Sequence, residues 1–317
     1  MNKKKQSIAQ EAFAGFDKAW GYVGKSILAS RHLLNAGLRS CRWILWFNNP
    51  QVNQKIQALV ARLKLFSFVG IPLNLAGIPS LAQKVSSQYK FQDHEGIALS
   101  FLTLSIVITD VLDSFATFVS GIIQTFSLHP IGGISAVGTP LAALVIGLGS
   151  ISRTTRLIHL GQFQREINQL ILQLEGASLE KSNALIREFL QKKLKTPPNE
   201  DPLQKTQIDE RKKAVLERRL NHKAASLLIS LTEIFDAKTS INENEKKFLL
   251  DGIKEVKSIV RKEMKVQGGY LSTNLLNAIA LILFFVLVLA ALPFLLLAIS
   301  MIARIAISAY QDLHRSY

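Results

Sequence analysis

Between Ile97 and Ile151 the chain carries two acidic side chains, Asp110 and Asp113, and no Lys or Arg. The stretch reads as two apolar lobes, Ile97–Ile123 and Ile131–Ile151. They are joined by Gln124-Thr-Phe-Ser-Leu-His-Pro130, which has no Lys, Arg, Asp or Glu. Roughly 20 apolar residues in an α-helix cross about 30 Å of hydrocarbon. Two such runs with so short a link fold as a helical hairpin whose outer ends lie on one side of a membrane.

The rest of the chain agrees with a membrane setting. Apolar residues make up 48% and mean hydropathy is +0.22, yet the charges gather between the apolar blocks. That segregation marks a membrane protein more than one large soluble core. Residues 1–64 hold eleven Lys or Arg against two acids, an excess of nine. Arg153, Arg156 and Arg165 follow the second lobe directly. Both ends of the hairpin are therefore basic, which places them on the cytoplasmic or cytoplasm-equivalent side. No cleavable signal peptide is expected, because Met1-Asn-Lys-Lys-Lys5 is not followed by a continuous apolar segment. The single cysteine, Cys41, forms no internal disulfide. The net charge of +15 fits a face turned to anionic lipid; no nucleic-acid module accompanies it.

In chain order, residues 1–66 read as basic amphipathic helices. Phe13, Phe16, Trp20, Val23 and Ile27 share one face of the first; Val52, Ile56, Leu59, Val60, Leu63 and Phe66 share one face of the second. Arg39, Arg42, Trp43 and Trp46 suit a membrane–water interface, since an indole ring is apolar with one polar edge; a core-facing stripe reads equally well. Residues 67–96 form a linker interrupted by Gly70-Ile-Pro72 and Gly77-Ile-Pro79, where proline forbids a straight spanning helix. Asp93-His94-Glu95 could ligate a metal, but neighbours on a helix diverge and no fourth ligand is near. A polar boundary is the better reading.

Within the hairpin, residues 97–151, Asp110 and Asp113 lie one turn apart on one face. A charge at that depth costs about 2.5–3.5 kcal/mol. It signals either an ion relay or groups protonated or hydrogen-bonded to Ser105, Thr109, Ser114 or Thr117, and the absence of a basic residue in the second lobe favours the latter. Ser135, Thr139, Ala143 and Gly147 repeat every four residues, a small-residue stripe on which another helix, or a second copy of the chain, packs closely.

Residues 152–268 are charged, with 23 Lys or Arg and 16 acids. Helical spacing predicts a helix through Leu157–Leu174, another through Leu185–Leu190, a break at Thr196–Pro202, and a long helix from Ile208 to Ile234. A capping box, Ser240-x-x-Glu243, opens the next. Gly268-Gly269 reads as a hinge. Leu271–Ala303 then has no ionised side chain and would be about 50 Å long as one helix. Either one helix crosses with its excess in the interface, or, as Pro293 and the basic end favour, a turn at Leu292-Pro293 makes a second hairpin within residues 269–310; a tail follows at 311–317.

The expected fold class is all-α: a multi-pass membrane protein with transmembrane helical hairpins and a soluble helical bundle or coiled-coil-like region. Nucleophile elbow, phosphate loop, paired-cysteine and EF-hand patterns are missing from the sequence, which points away from an enzyme, a metal site or a cofactor. The expected partners are the anionic leaflet of a bilayer, a protein bound through 152–268, and a second copy of the chain. The two-lobed apolar domain, followed by a helical region with coiled-coil-like stretches, resembles the inclusion membrane proteins of chlamydiae and their relatives. The resemblance implies export by type III secretion, insertion in a vacuole membrane and both termini facing the host cytosol. The apolar C-terminal block and long basic N-terminus depart from the simplest pattern of that family. A small transporter or channel using Asp110 and Asp113, or a membrane-shaping protein, are the alternative functions.

Overall fold

The computed structural model describes residues 19, 22–38, 50–75, 78–90, 93–127, 132–194, 212–236, 242–286 and 291–315. Among them every regular element is helical. We label them α1 (22–38), α2 (Pro50–Leu65), α3 (Gly70–Leu75), α4 (Ile78–Lys90), α5 (His94–Ser127), α6 (Gly132–Glu175), α7 (Leu179–Leu194), α8 (212–219), α9 (His222–Asp236), α10 (Glu243–Val286) and α11 (Leu292–Arg315). A single 3₁₀ turn, Phe66–Val69, joins α2 to α3. Four of these helices are long and apolar enough to cross a membrane: α5, α6, α10 and α11.

α6 and α10 each run for 44 residues. That is about 66 Å, twice the thickness of a hydrocarbon layer. Each is apolar in one half and charged in the other. The chain divides into two compact units, and the divisions fall inside α4, α5, α6 and α10. The first unit is Met1–Ala82, Leu102–Ile151 and Gly269–Tyr317; the second is Gln83–Phe101 and Ser152–Gly268.

The second unit has an ordinary aqueous-type core. Leu160, Phe163, Ile167, Leu170 and Leu174 of α6 meet Ile186 of α7, Leu216 of α8, Leu228 and Leu231 of α9, and Leu249, Ile253, Val256 and Val260 of α10. Each fully buried Leu, Ile or Val contributes roughly 1.5–3 kcal/mol. The spacing in α10 continues through Glu263 and Gln267, which are also buried. Those two positions take polar partners: Glu263 accepts from Arg156 at 3.1 Å and from Gln267 at 2.6 Å, and Gln267 accepts from Arg153 at 2.7 Å.

Three expectations for this part are corrected. The helix expected to run from Ile208 to Ile234 is broken at Leu220–Asn221. The Asn221 side chain accepts from the Ala224 N–H at 2.9 Å and so starts α9 afresh. The capping box of α10 is Asn242-x-x-Glu245, two residues later than Ser240: Glu245 N–H donates to Asn242 Oδ1 at 2.9 Å and Asn242 N–H to Glu245 Oε2 at 3.0 Å. Gly268-Gly269 is no hinge but lies mid-helix in α10. A methyl group on Gly269 would stand 3.0 Å from Ile307 Cδ1, so glycine here admits α11. Ser240, Ile208 and the Thr196–Pro202 break lie outside the described residues.

The first unit is built the other way round. Its exposed side chains are apolar: Ile108, Leu112 and Phe115 on α5, Leu275, Ile279 and Ile282 on α10, Leu295, Ile299 and Ile302 on α11. Among its buried side chains polar ones are prominent: His32, Asn35, Ser67, Thr109, Ser120, Thr273, Asn274, Asn277 and Ser300, beside Ile56, Leu81 and several alanines. Apolar surface of this extent has no place in water, and it matches what lipid requires.

In this unit α10 and α11 pair antiparallel, since Tyr270 meets Ser308 and Thr273 meets both Arg304 and Ser300. The block Leu271–Ala303 is thus two helices. The turn precedes Leu292, and Pro293 sits in the first turn of α11, where its missing N–H costs nothing. Residues 61–75 run antiparallel along α5. A methyl on Gly121 would lie 3.2 Å from the Ala61 carbonyl oxygen, Phe68 stacks at 5.5 Å from Phe118, and a Cβ on Gly70 would meet Ser114. The interrupted segment is therefore a set of short helices. Pro72 and Pro79 each fall in the first turn of theirs. In α2 the buried residues are Ile56 and Ala61, while Leu59 and, just beyond the helix, Phe66 are exposed, so the buried face is rotated from the one expected.

Candidate functional site: the polar interior of the first unit

Asp110 and Asp113 are the anchor of this site. On α5 they lie roughly opposite the exposed face of Ile108, Leu112 and Phe115. Each meets a basic side chain from a distant part of the chain. Asp110 faces Arg304 of α11 and is within hydrogen-bonding reach of Asn74, at the end of α3. Asp113 faces Arg31 of α1 and lies beside Asp110. Neither arginine could be paired with an acid from sequence spacing alone, and Arg31 fell in an amphipathic helix that reads as peripheral. Thr109, expected as a partner of the aspartates, donates instead to its own helix, at the Ser105 carbonyl, 2.7 Å away.

The guanidiniums are held by uncharged groups. Arg304 donates from Nε to Thr273 Oγ1 at 3.1 Å and from Nη2 to Asn274 Oδ1 at 2.6 Å. Asn274 in turn donates to Ser150 of α6 at 3.3 Å. Arg31 donates to Ser67. Among the described residues, then, the charges attract through space while hydrogen bonds to hydroxyls and amides fix their positions. In a medium of low dielectric such an interaction is strong, and a lone charge there would be costly.

A stripe on α11 extends the network: Ser300, Arg304, Ser308 and Asp312, four residues apart. Ser300 donates to the Thr273 carbonyl at 3.2 Å, Ser308 shares a hydrogen bond with Tyr270 at 2.9 Å and accepts from Lys25 at 3.2 Å, and Asp312 accepts from Tyr22 at 2.7 Å. Burial, together with the hydrogen bond donated to Asp312, pushes the Tyr22 phenol up to about 12, so it stays a donor. The four-residue spacing of polar groups in an apolar helix is the signal by which sequence reading could have found this network. On α1, His32 and Asn35 are buried one turn apart; His32 Nδ1 and Asn35 Oδ1 have no partner among the described residues.

The remaining sequence candidates divide. On α6, Ala143 and Gly147 are exposed, and nothing lies within 4 Å of a methyl placed on Gly147. Contact with α10 is made instead near Gly149, where an added methyl would lie 3.3 Å from Asn274. The side chains of Ser135 and Thr139 lie outside what is described, as do Arg39, Arg42, Trp43 and Trp46.

Asp93-His94-Glu95 forms an ion cluster in the second unit. Asp93 caps α5, accepting from the Gly96 N–H at 3.1 Å. It also receives a two-pronged bond from Arg218, at 3.0 Å to each oxygen. Glu95 accepts from Arg218 at 3.1 Å and Arg219 at 2.5 Å, and pairs with His159 at 2.6 Å. Burial works to lower the Arg218 pKa, but the carboxylates of Glu95 and Asp93 outweigh it and raise it. No group of three or more metal-ligating side chains occurs among the described residues.

No known family model matches the chain, and no curated protein is significantly similar to it.

Proposed function

We propose that this is an integral membrane protein acting as a non-enzymatic, membrane-anchored interaction scaffold. The observation that carries the reading is the opposite polarity of the two units. One turns apolar side chains outward and polar ones inward; the other buries Leu, Ile and Val and carries its charges outside. The first suits lipid and the second suits water, where its helices offer a surface to protein partners. The basic residues beside the apolar runs support an arrangement with the N-terminus and residues 152–268 on the cytoplasmic or host-cytosol face, against an anionic leaflet. The resemblance to inclusion membrane proteins supports a pathogen vacuole membrane as the setting and an effector role.

Arg304 and Arg31 beside the two aspartates weigh against the transporter reading, because they balance the charge that a cation relay would use. Photo-crosslinking in cells tests the scaffold. A crosslinker at Leu172 or Phe248, exposed in the second unit, should capture a defined protein, and one at Ile282 of the first unit should capture none. Equal silence at all three positions overturns the reading.

A further inference from the structure

We infer that the first unit encloses a one-ended aqueous crevice, open where α11 carries Asp312 and closed at Ser300, which admits water and small hydrophilic solutes of either charge. The inference rests on the reading that this unit sits in lipid.

Accessibility along the α11 stripe is graded. Asp312, Ser308 and Arg304 are part-exposed, whereas Ser300 is 0% exposed and its partner Thr273 is 2% exposed. Asp110, Asp113 and Arg31 are part-exposed as well. That remaining surface is not turned to lipid. On a helical wheel Arg304 lies about 200° from Ile302, and Asp110 about 200° from Ile108. The exposed face of α11 is Leu295, Ile299 and Ile302. Residue surface beside an inward-looking charge, together with an Arg31 Nε that is buried with no partner among the described residues, calls for water, since hydrocarbon supplies no hydrogen bond.

The way the charges are held agrees. Two carboxylates and two guanidiniums face one another, yet the guanidinium hydrogen bonds go to Thr273, Asn274 and Ser67. In a dry interior, opposite charges gain most from direct contact. Charges that stay apart are what water bridges. Two of each sign leave no net charge, so the crevice selects neither cations nor anions. From Asp312 to Arg304 is about 12 Å along the helix, under half the hydrocarbon thickness, and this makes the crevice one-sided.

The test uses the full chain with Cys41→Ser, reconstituted in liposomes, and single cysteines at Ser308, Ser300, Ile302 and Leu172. The probes are a cationic trimethylammonium and an anionic sulfonate methanethiosulfonate added to the water. Ser308→Cys should react at least tenfold faster than Ile302→Cys with both reagents, although Ile302 is 48% exposed. Ser300→Cys should be as slow as Ile302→Cys. Should Ser308→Cys fail to elute as a folded species, Tyr270→Cys reports the same place. Slow reaction at both Ser308 and Ile302 overturns the crevice and leaves the membrane reading standing. Reaction at Ile302 as fast as at the water-facing Leu172 overturns the membrane reading itself. Fast reaction at Ser300 overturns the closed end, and entry of one reagent alone overturns the lack of charge selection.

Discussion

Gly121 and Gly147 have opposite surroundings. A methyl group on Gly121 would come within 2.9 Å of Lys64 Cβ and 3.2 Å of the Ala61 carbonyl. Backbone cannot swing aside as a side chain can, so Gly121→Ala should push α2 from α5 and cost about 1–3 kcal/mol. Gly147→Ala meets open space and should leave stability the same or raise it by up to about 1 kcal/mol. Thermal unfolding of both variants in one detergent checks the contrast. A second residue-scale prediction concerns Arg218, whose side chain is 15% exposed against 7% for Asp93. Arg218→Ala strands Asp93 without its fork, and breaking a pair this buried from one side costs about 3–5 kcal/mol. Arg218→Lys should recover part of that, because an ammonium replaces a bidentate contact by a single point. Chemical unfolding followed by circular dichroism measures both.

At the scale of elements, the start of α10 is the sharpest case. Asn242→Ala should cost about 1 kcal/mol, and Ser240→Ala nothing, in the same unfolding experiment. The box expected from sequence is Ser240-x-x-Glu243, and Asn242-x-x-Glu245 differs from it only in register; which one closes depends on where the buried seam of α10 must point. Helix type was legible in α10 from Phe248, Ile253, Val256 and Val260, although the seam begins at buried Leu249 and Phe248 is exposed. The apolar runs were legible from composition. Continuity across Gly268-Gly269 was not. Two glycines weaken a helix by roughly 2 kcal/mol together; the packing of Ile307 accounts for Gly269, and no contact accounts for Gly268. The pairing of Asp110 with Arg304 was equally hidden, because it depends on how α5 and α11 meet and not on any spacing within either.

For the whole molecule, the inverted polarity of the first unit makes an expectation that depends on no single contact. The protein should remain with membranes after alkaline carbonate extraction and leave them only in detergent, as immunoblotting of the pellet and supernatant would record. Release by carbonate would mean that the exposed apolar faces of α5, α10 and α11 meet another protein and not lipid. The split also limits what can be exchanged. A charged substitution at Leu172 of α6 stays in water, whereas one at Leu275 of α10 must be carried into hydrocarbon.

The four-residue repeat on α11 amounts to a screw thread. Each step of four advances about 6 Å and turns about 40°, so from Ser300 to Asp312 the thread winds through about 120°. That winding is why Ser300 and Arg304 engage α10, Ser308 engages both α10 and α1, and Asp312 reaches Tyr22 of α1. A helix threaded in this way can be neither slid straight nor spun in place without unseating its polar groups. The one motion that carries each seat onto the next couples travel to rotation, as a bolt turns in a nut.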